Sequence, residues 1–166
     1  MIEISKLSKQ IEVRILGDSD ADSILELCRE NTQFYRYCEA EPSMEQVRRD
    51  LQITPPGVGL SDKYYVGFYR EGVLTAVMDL IDGYPEPDLA FVGFFMMKRE
   101  RQGRQIGSAI IRETAAYLKE IGKTAIQLGI DKENPQSTHF WKKNGFHVIR
   151  EVDRGGWTVL VAQKTL

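Results

Sequence analysis

Cysteine and histidine are scarce, with two of each in 166 residues. Cys28 and Cys38 could pair, but two cysteines outside any C-x-x-C spacing are more commonly free thiols. Two histidines without a ligand-like His/Cys/Asp spacing give no reason to expect a metal site. Charge of one sign is also lacking. The formal net charge is −2, whereas a general nucleic-acid binder carries a net basic surface, so no nucleic-acid partner is expected. The longest apolar runs fall far short of the ~20 residues that span a bilayer, so no membrane partner is expected either. The opening MIEISKLSKQIEV has neither the apolar stretch nor the small-residue cleavage site of a secretory signal, and the cytoplasm is the expected compartment. Neither G-x-x-x-x-G-K-[ST] nor, after a predicted strand, G-x-G-x-x-G occurs, which excludes two well-known phosphate loops. No repeat, low-complexity tract or linker interrupts the chain. With 42% hydrophobic and 28% charged residues, a single folded domain over 1–166 is expected.

Patterning then supplies an order of elements. IEVRILG (11–17) alternates Ile11, Val13 and Ile15 with Glu12 and Arg14, and predicts a first strand. DSDADSILELCREN follows as a helix with Ile24, Leu25, Leu27 and Cys28 on its apolar side. Pro42, Ser43 and Gln46 form a capping-box signature for a second short helix. KYYVGFYREGVLTAVMDLID predicts a hairpin turning at Arg70, Glu71 and Gly72. DLAFVGFFMM (88–97) is apolar at both parities, with Leu89, Phe91, Phe95 and Met97 on one and Ala90, Val92, Phe94 and Met96 on the other. That predicts a central strand covered on both faces. Ile106, Ile110, Tyr117 and Ile121 mark a helical face closed by Gly122, and TAIQLGI is a further strand. NPQSTHFWKKNGF predicts a short helix capped by Asn134, with Pro135 at its first position and Gly145 after its end. HVIREV and WTVLVAQK close the chain as a strand pair around DRGG. The order βααββ followed by βαβαββ predicts an α/β domain with a mixed sheet.

The junction MMKRERQGRQIGSAII (96–111) is the densest in chemistry. A core strand ends there, Lys98, Arg99, Arg101 and Arg104 crowd together, and a helix begins. A helix N-terminus offers free backbone N–H groups and positive potential, and Gly103, Gly107 and Ser108 allow a ligand close approach. Two readings stand side by side: an anion site, or a surface turn with solvated arginines.

QGRQIGSAII resembles the Q/R-x-x-G-x-G/A acyl-CoA motif of the GNAT superfamily of N-acyltransferases, and NPQSTHFWKKNGF resembles the later FYEKLGF-type helix motif of the same superfamily. The intervening helix and strand and the full element order fit as well, so the resemblance covers nearly the whole chain. It implies a GNAT-like fold: a mixed, mostly antiparallel central sheet of about seven strands, splayed at a bulge in the fourth and flanked by about four helices. It implies acetyl-CoA as acyl donor, with its pyrophosphate on the backbone of Gln102, Gly103, Arg104, Gln105, Ile106, Gly107 and Ser108. The bulge is expected near Phe95 to Met97, where the pantetheine arm would pair with Phe95, Met96 and Met97. The N–H of Phe95 would hold the developing oxyanion. Asn134 would contact the pantetheine or CoA, and Phe140 and Trp141 would line the thiol end. Two residues depart from the family pattern. Gln105 stands where the motif has its first glycine. Trp141 stands where a tyrosine general acid is common, and an indole N–H donates a hydrogen bond without serving as an acid near neutral pH.

For the acceptor, Asp79 interrupts an apolar strand, as a base or water anchor or as an aspartate paired with a nearby cation, the pairing being favoured. Asp82 and Tyr84 follow near the strand end as further candidates for substrate binding and acid catalysis. Glu39 and Glu41, in a region bordering the acceptor site of the superfamily, could attract a cationic amine, though solvated loop charges are commoner. The expected activity is transfer of acetyl from acetyl-CoA to a primary amine of a small molecule by direct attack in a ternary complex. The competing expectations are a peptide or protein acceptor, and a non-catalytic acyl-CoA-binding sensor. The resemblance leaves a monomer or a homodimer as the expected assembly.

Overall fold

The computed structural model describes residues 1–166. Its strands are β1 (Glu12–Ile15), β2 (Lys63–Arg70), β3 (Val73–Asp82), β4 (Leu89–Met97), β5 (Ala125–Asp131), β6 (His147–Asp153) and β7 (Thr158–Thr165). Its α-helices are α1 (Ala21–Glu30), α2 (Thr32–Tyr35), α3 (Met44–Gln52), α4 (Ile106–Glu120) and α5 (Pro135–Lys143). The strands form one mixed sheet in the order β1-β2-β3-β4-β5-β7-β6, antiparallel throughout except for the parallel β4–β5 pair. Five α-helices replace the four expected, because the four-residue α2 follows α1 after the single residue Asn31.

Local chemistry explains most boundaries. The β2–β3 hairpin turns through Glu71 and Gly72, both at positive φ (53° and 76°), a geometry whose twist matches the flanking strands. Ser43 caps α3 by accepting from the N–H of Gln46 at 3.1 Å, while the Gln46 side chain turns to Asp50 instead of closing the box. Asn134 caps α5 through an acceptor contact with the N–H of Ser137, and Pro135 fills the first turn. Ile121 is exposed at the C-cap of α4, and Ile111 and Leu118 carry the buried face together with Ile106, Ile110 and Tyr117.

Side chains on the two sides of the sheet build separate cores. Ala76, Met78 and Leu80 of β3 pack under α4, and Val77 packs under α1 and α3. By strand alternation Asp79 faces the α1/α3 side.

β4 carries the expected bulge, at a different residue. Asp79 pairs with Phe94 and Leu80 with Val92, leaving Gly93 as an extra residue. The bulge thus lies at Gly93, two residues before the expected Phe95–Met97, which pair regularly with Met78, Val77 and Ala76. One extra residue flips the alternation beyond it. Ala90 and Val92 therefore share the α4 face with Phe95 and Met97, while Phe94 and Met96 join the α1/α3 side. Gly93 itself is exposed. A Cβ there would lie 2.8 Å from Oδ2 of Asp79, so the carboxylate occupies the space a side chain would need.

The start of α4 carries the second backbone irregularity. Gln105, at its N-cap, has φ 61°, a left-handed conformation that costs a residue with a Cβ about 1–2 kcal/mol. Replacing it by glycine should therefore raise the unfolding free energy by roughly 0.5–1 kcal/mol in urea titrations. Gly93→Ala should lower it by about 1–3 kcal/mol in the same measurement, as expected for a forced overlap.

Candidate active-site cleft

β4 and β5 are paired only over Leu89–Val92 and Ala125–Leu128. Beyond that point each keeps its outer partner, β4 with β3 and β5 with β7, and the two strands part. A cleft of about 370 Å³ opens between them, walled by Gly93 to Met97 on one side and Gly129 to Asp131 on the other. The edge of β4 facing β5 is left without a strand partner from the bulge onward.

The N-terminus of α4 closes one end of this cleft. The backbone N–H groups of residues 103 to 108 donate to no protein acceptor, and the first regular donor is Ala109, which reaches the carbonyl of Gln105 at 3.0 Å. Six free N–H groups around a helix N-terminus, with Gly103 at φ 74° and Gln105 at φ 61°, form a concave donor surface suited to an anion. Side chains secure it from below. Asn31 is buried and donates to the carbonyls of Leu27 (2.9 Å) and Met97 (3.0 Å), while its Oδ1 accepts from Nε2 of Gln102 at 2.6 Å. The end of α1, the end of β4 and the loop before α4 are thus tied to one amide.

The four basic residues of this junction differ in placement. Lys98 pairs with Glu30 at 3.1 Å, Arg101 lines the cleft, and Arg99 and Arg104 are exposed.

The opposite wall is aromatic. Phe95 stacks on Phe140 (5.9 Å between centroids), and Trp141 meets Phe95, Phe140 and Phe146 edge-on at 5.8, 5.0 and 5.0 Å. Trp141 is buried, and its indole N–H has no protein acceptor. Asn134 is buried beside them, with its Oδ1 engaged in capping α5. On the α1/α3 side, Phe34 meets Phe94 edge-on at 6.1 Å, so the cleft is continuous through the splay from one face of the sheet to the other.

Of the thirteen residues assigned to acyl-CoA, the cleft brings together Phe95, Met96, Met97, Gln102, Gly103, Gln105, Ile106, Gly107, Ser108, Asn134, Phe140 and Trp141. Arg104 is not among its walls, because its side chain points to solvent from the loop.

The acceptor candidates fare differently. Asp82 and Tyr84 lie at the far end of the sheet, where β4 begins and is still paired with β5. Asp82 sits opposite Ala90 and contacts Lys123, and Tyr84 packs edge-on against Phe91 at 5.4 Å. The hairpin that carries them leads away from the splay, and neither lines the cleft. Glu39 and Glu41 lie exposed in the α2–α3 connection, outside the cleft walls.

Asp79 is not among the cleft walls either, but lies directly behind Gly93, which is. Both its oxygens are 2.7 Å from Nζ of Lys63. Burial raises its pKa above the usual aspartate value, and the contact with Lys63 opposes that rise. Asp50 of α3 also has a raised pKa because of burial.

Sequence reasoning missed Asn31, Gly93 and Lys63. Each is an ordinary residue type whose partner lies far along the chain, 16 positions for Lys63–Asp79 and 71 for Asn31–Gln102. No group of three or more His, Cys, Asp or Glu side chains is placed to hold a metal ion, and no helix is long and apolar enough to cross a membrane.

A family model described as the acetyltransferase (GNAT) family matches residues 24–146. No curated protein matches the chain significantly. An acetyltransferase from Thermus thermophilus shares the fold with a TM-score of 0.75 at 22% identity, over 95% of this chain and 97% of that one. The PaiA N-acetyltransferase of Thermoplasma acidophilum, solved in complex with coenzyme A, gives 0.69 at 22% identity over 94% and 99% of the two chains. A spermidine N-acetyltransferase SpeG chimera built from Vibrio cholerae and hSSAT sequences gives 0.69 at 18% identity over 95% and 96%. These likenesses are of fold, whereas the family match spans well over half of the sequence: the protein belongs to the acetyltransferase (GNAT) family.

Proposed function

We propose that the protein transfers acetyl from acetyl-CoA to a primary amine of a small molecule by direct attack in a ternary complex. The observation that carries this reading is the coincidence, in one cleft, of an unpaired β4 edge with a cradle of free N–H groups. A pantetheine arm carries amides that pair with a free strand edge, and a pyrophosphate suits the N–H groups of residues 103–108. The coenzyme A bound to the PaiA enzyme supports the same ligand class here.

Acetyl-CoA supplies a thioester whose carbonyl carbon accepts the amine nitrogen and whose C–S bond then breaks. An N–H of β4 beyond the bulge, that of Phe95 in our assignment, would take up the charge developing on the carbonyl oxygen. A free alkylammonium, with a pKa of about 10, loses two protons on becoming an amide. Asp79, directly or through one water, would take one and pass it to solvent. The other leaves the nitrogen to solvent as the C–S bond breaks, balancing the proton the thiolate takes up. Trp141 donates a hydrogen bond but no proton. The leaving thiolate, with an ordinary thiol pKa of about 8.5, departs without an acid and is protonated by water. The half-buried Phe34–Phe94 corner beside Gly93 is where the acceptor would enter, on the face opposite the aromatic wall of α5.

Trp141, in place of the tyrosine, favours one competing reading, an acyl-CoA-binding sensor without turnover. Purified protein mixed with acetyl-CoA and a panel of amino acids, polyamines, aminoglycosides and peptides should release free CoA thiol with at least one small amine. Binding of acetyl-CoA with no thiol release across the panel would instead establish the sensor.

Coenzyme A at about 100 times its Kd should raise the melting temperature by roughly 5–10 °C. Ser108→Glu, which sets a carboxylate in the N–H cradle, should lose that shift while melting near the wild-type temperature without ligand. Turnover by Asp79→Asn should fall about 10²-fold. In the wild type, kcat/KM should decline on acidification as Asp79 takes up its proton. Burial raises the Asp79 pKa, so the decline begins above the ordinary aspartate value of about 3.9.

A further inference from the structure

Lys63 is the first residue of β2. In the fold its side chain is 2% exposed, among the least accessible charges in the molecule, while that of its partner Asp79 is 12% exposed. The pair is therefore asymmetric: the ammonium lies behind, and the accessible edge belongs to the carboxylate. Strand register places Lys63 opposite Ile81 and Tyr65 opposite Asp79. The lysine must therefore run two residues along the sheet to reach the carboxylate, and it does so beside the Tyr65 ring, with Nζ 5.6 Å from the ring centroid. At the end of this path it meets both carboxylate oxygens at equal distance, 2.7 Å.

The other side of the carboxylate is set by the bulge. Oδ2 of Asp79 stands 2.8 Å from where a Gly93 Cβ would be, and Gly93 is exposed in the cleft wall at the point where β4 leaves β5. The carboxylate is thus held between an ammonium behind it and a bare backbone in front of it. The titratable groups facing it are Lys63 and Tyr65 of β2 and Asp50 of α3, with Cys28 of α1 behind Tyr65. β4 presents only Gly93 and Phe94. Lys63 is the cation among them, and Asp50 is a like charge that opposes ionisation of Asp79.

We propose that Lys63 is a positioning residue of the acetyl transfer, clamping the Asp79 carboxylate against the Gly93 bulge where it meets the acceptor amine. This rests on the reading of Asp79 as the base and extends it to the residue that aims that base. A lysine suits the task because a compact ammonium contacts both oxygens from one point and leaves their outer edge free, whereas a guanidinium fork is longer and planar. A buried ion pair gains little net stability, so its place beside an open cleft fits a role in aiming the carboxylate.

The test follows the carboxylate and the turnover separately. The carboxyl carbon of Asp79, assigned by its loss in D79N, is titrated by carbon-13 NMR. Its midpoint in K63M should rise by about one pH unit or more, because an opposite charge at contact distance lowers a carboxyl pKa by that order. The acidic limb of kcat/KM, measured with acetyl-CoA and the panel amine of highest turnover, should move upward with it. KM for acetyl-CoA should stay at the wild-type value, since Lys63 does not line the cleft. K63R keeps the charge and displaces the contact, so it should restore the midpoint while lowering kcat about ten-fold or more.

A K63M protein whose midpoint and acidic limb match wild type, beside an inactive D79N, overturns the role of Lys63 and leaves Asp79 as base. A D79N protein with wild-type turnover removes the base itself. Should K63M fail to fold, K63R decides alone, and wild-type kcat in that variant overturns the proposal.

Discussion

The cleft side of the sheet is organised around the bulge at Gly93, where the Asp79 carboxylate lies in the space a side chain would take. A strand that runs straight through the middle of a sheet offers a ligand no backbone, because both edges are paired. Here one extra residue in β4 breaks the ladder with β3, and the pairing with β5 stops one residue earlier, at Val92. A side chain at the extra position would have to displace the carboxylate, which fills that space. The splay, the free strand edge and the passage through the sheet follow from that arrangement, and so does the location of Asp79 at the one place where both faces meet.

The second half of the site comes from a helix beginning. Six N–H groups without protein acceptors gather at the start of α4, and the chain reaches them through two left-handed residues, Gly103 and Gln105. Gln105 accepts the strain of a conformation that glycine adopts freely, which accounts physically for the glycine usual at this motif position. The buried amide of Asn31 fixes the cradle relative to β4 through Met97 and Gln102. The basic residues that make the segment conspicuous are secondary: Lys98 is occupied by Glu30, and Arg99 and Arg104 point to solvent. Oriented backbone, more than side-chain charge, is what makes the start of α4 suited to an anion.

Much of the fold was legible because it rests on local chemistry. Caps at Ser43 and Asn134 and the Glu71–Gly72 turn are decided by neighbours in sequence. The doubly apolar pattern of DLAFVGFFMM was legible as a central strand but not as a bulged one. A run apolar at both parities is unchanged in appearance when one residue slips out of register. The bulge was therefore placed two residues late, and the sharing of faces beyond it was inverted. Asp82 and Tyr84 were attractive for a similar reason. They follow Asp79 closely in sequence, yet the strand between carries them about 10 Å along the sheet, away from the splay.

The sequence by itself determined the order of elements, the glycine-punctuated start of α4 and the aromatic pair on α5, since each is set by spacing within one segment. Only the tertiary structure decided which charged residues meet. Asp79 and Lys63 are 16 positions apart and become one unit because β2 and β3 pair and α3 covers them. Asn31 and Gln102 are 71 positions apart and meet because α1 packs against the end of β4. A carboxylate in an apolar strand reads the same whether it is a paired aspartate or a base. Its role depends on what stands behind it and what opens in front, and those are properties of the folded sheet.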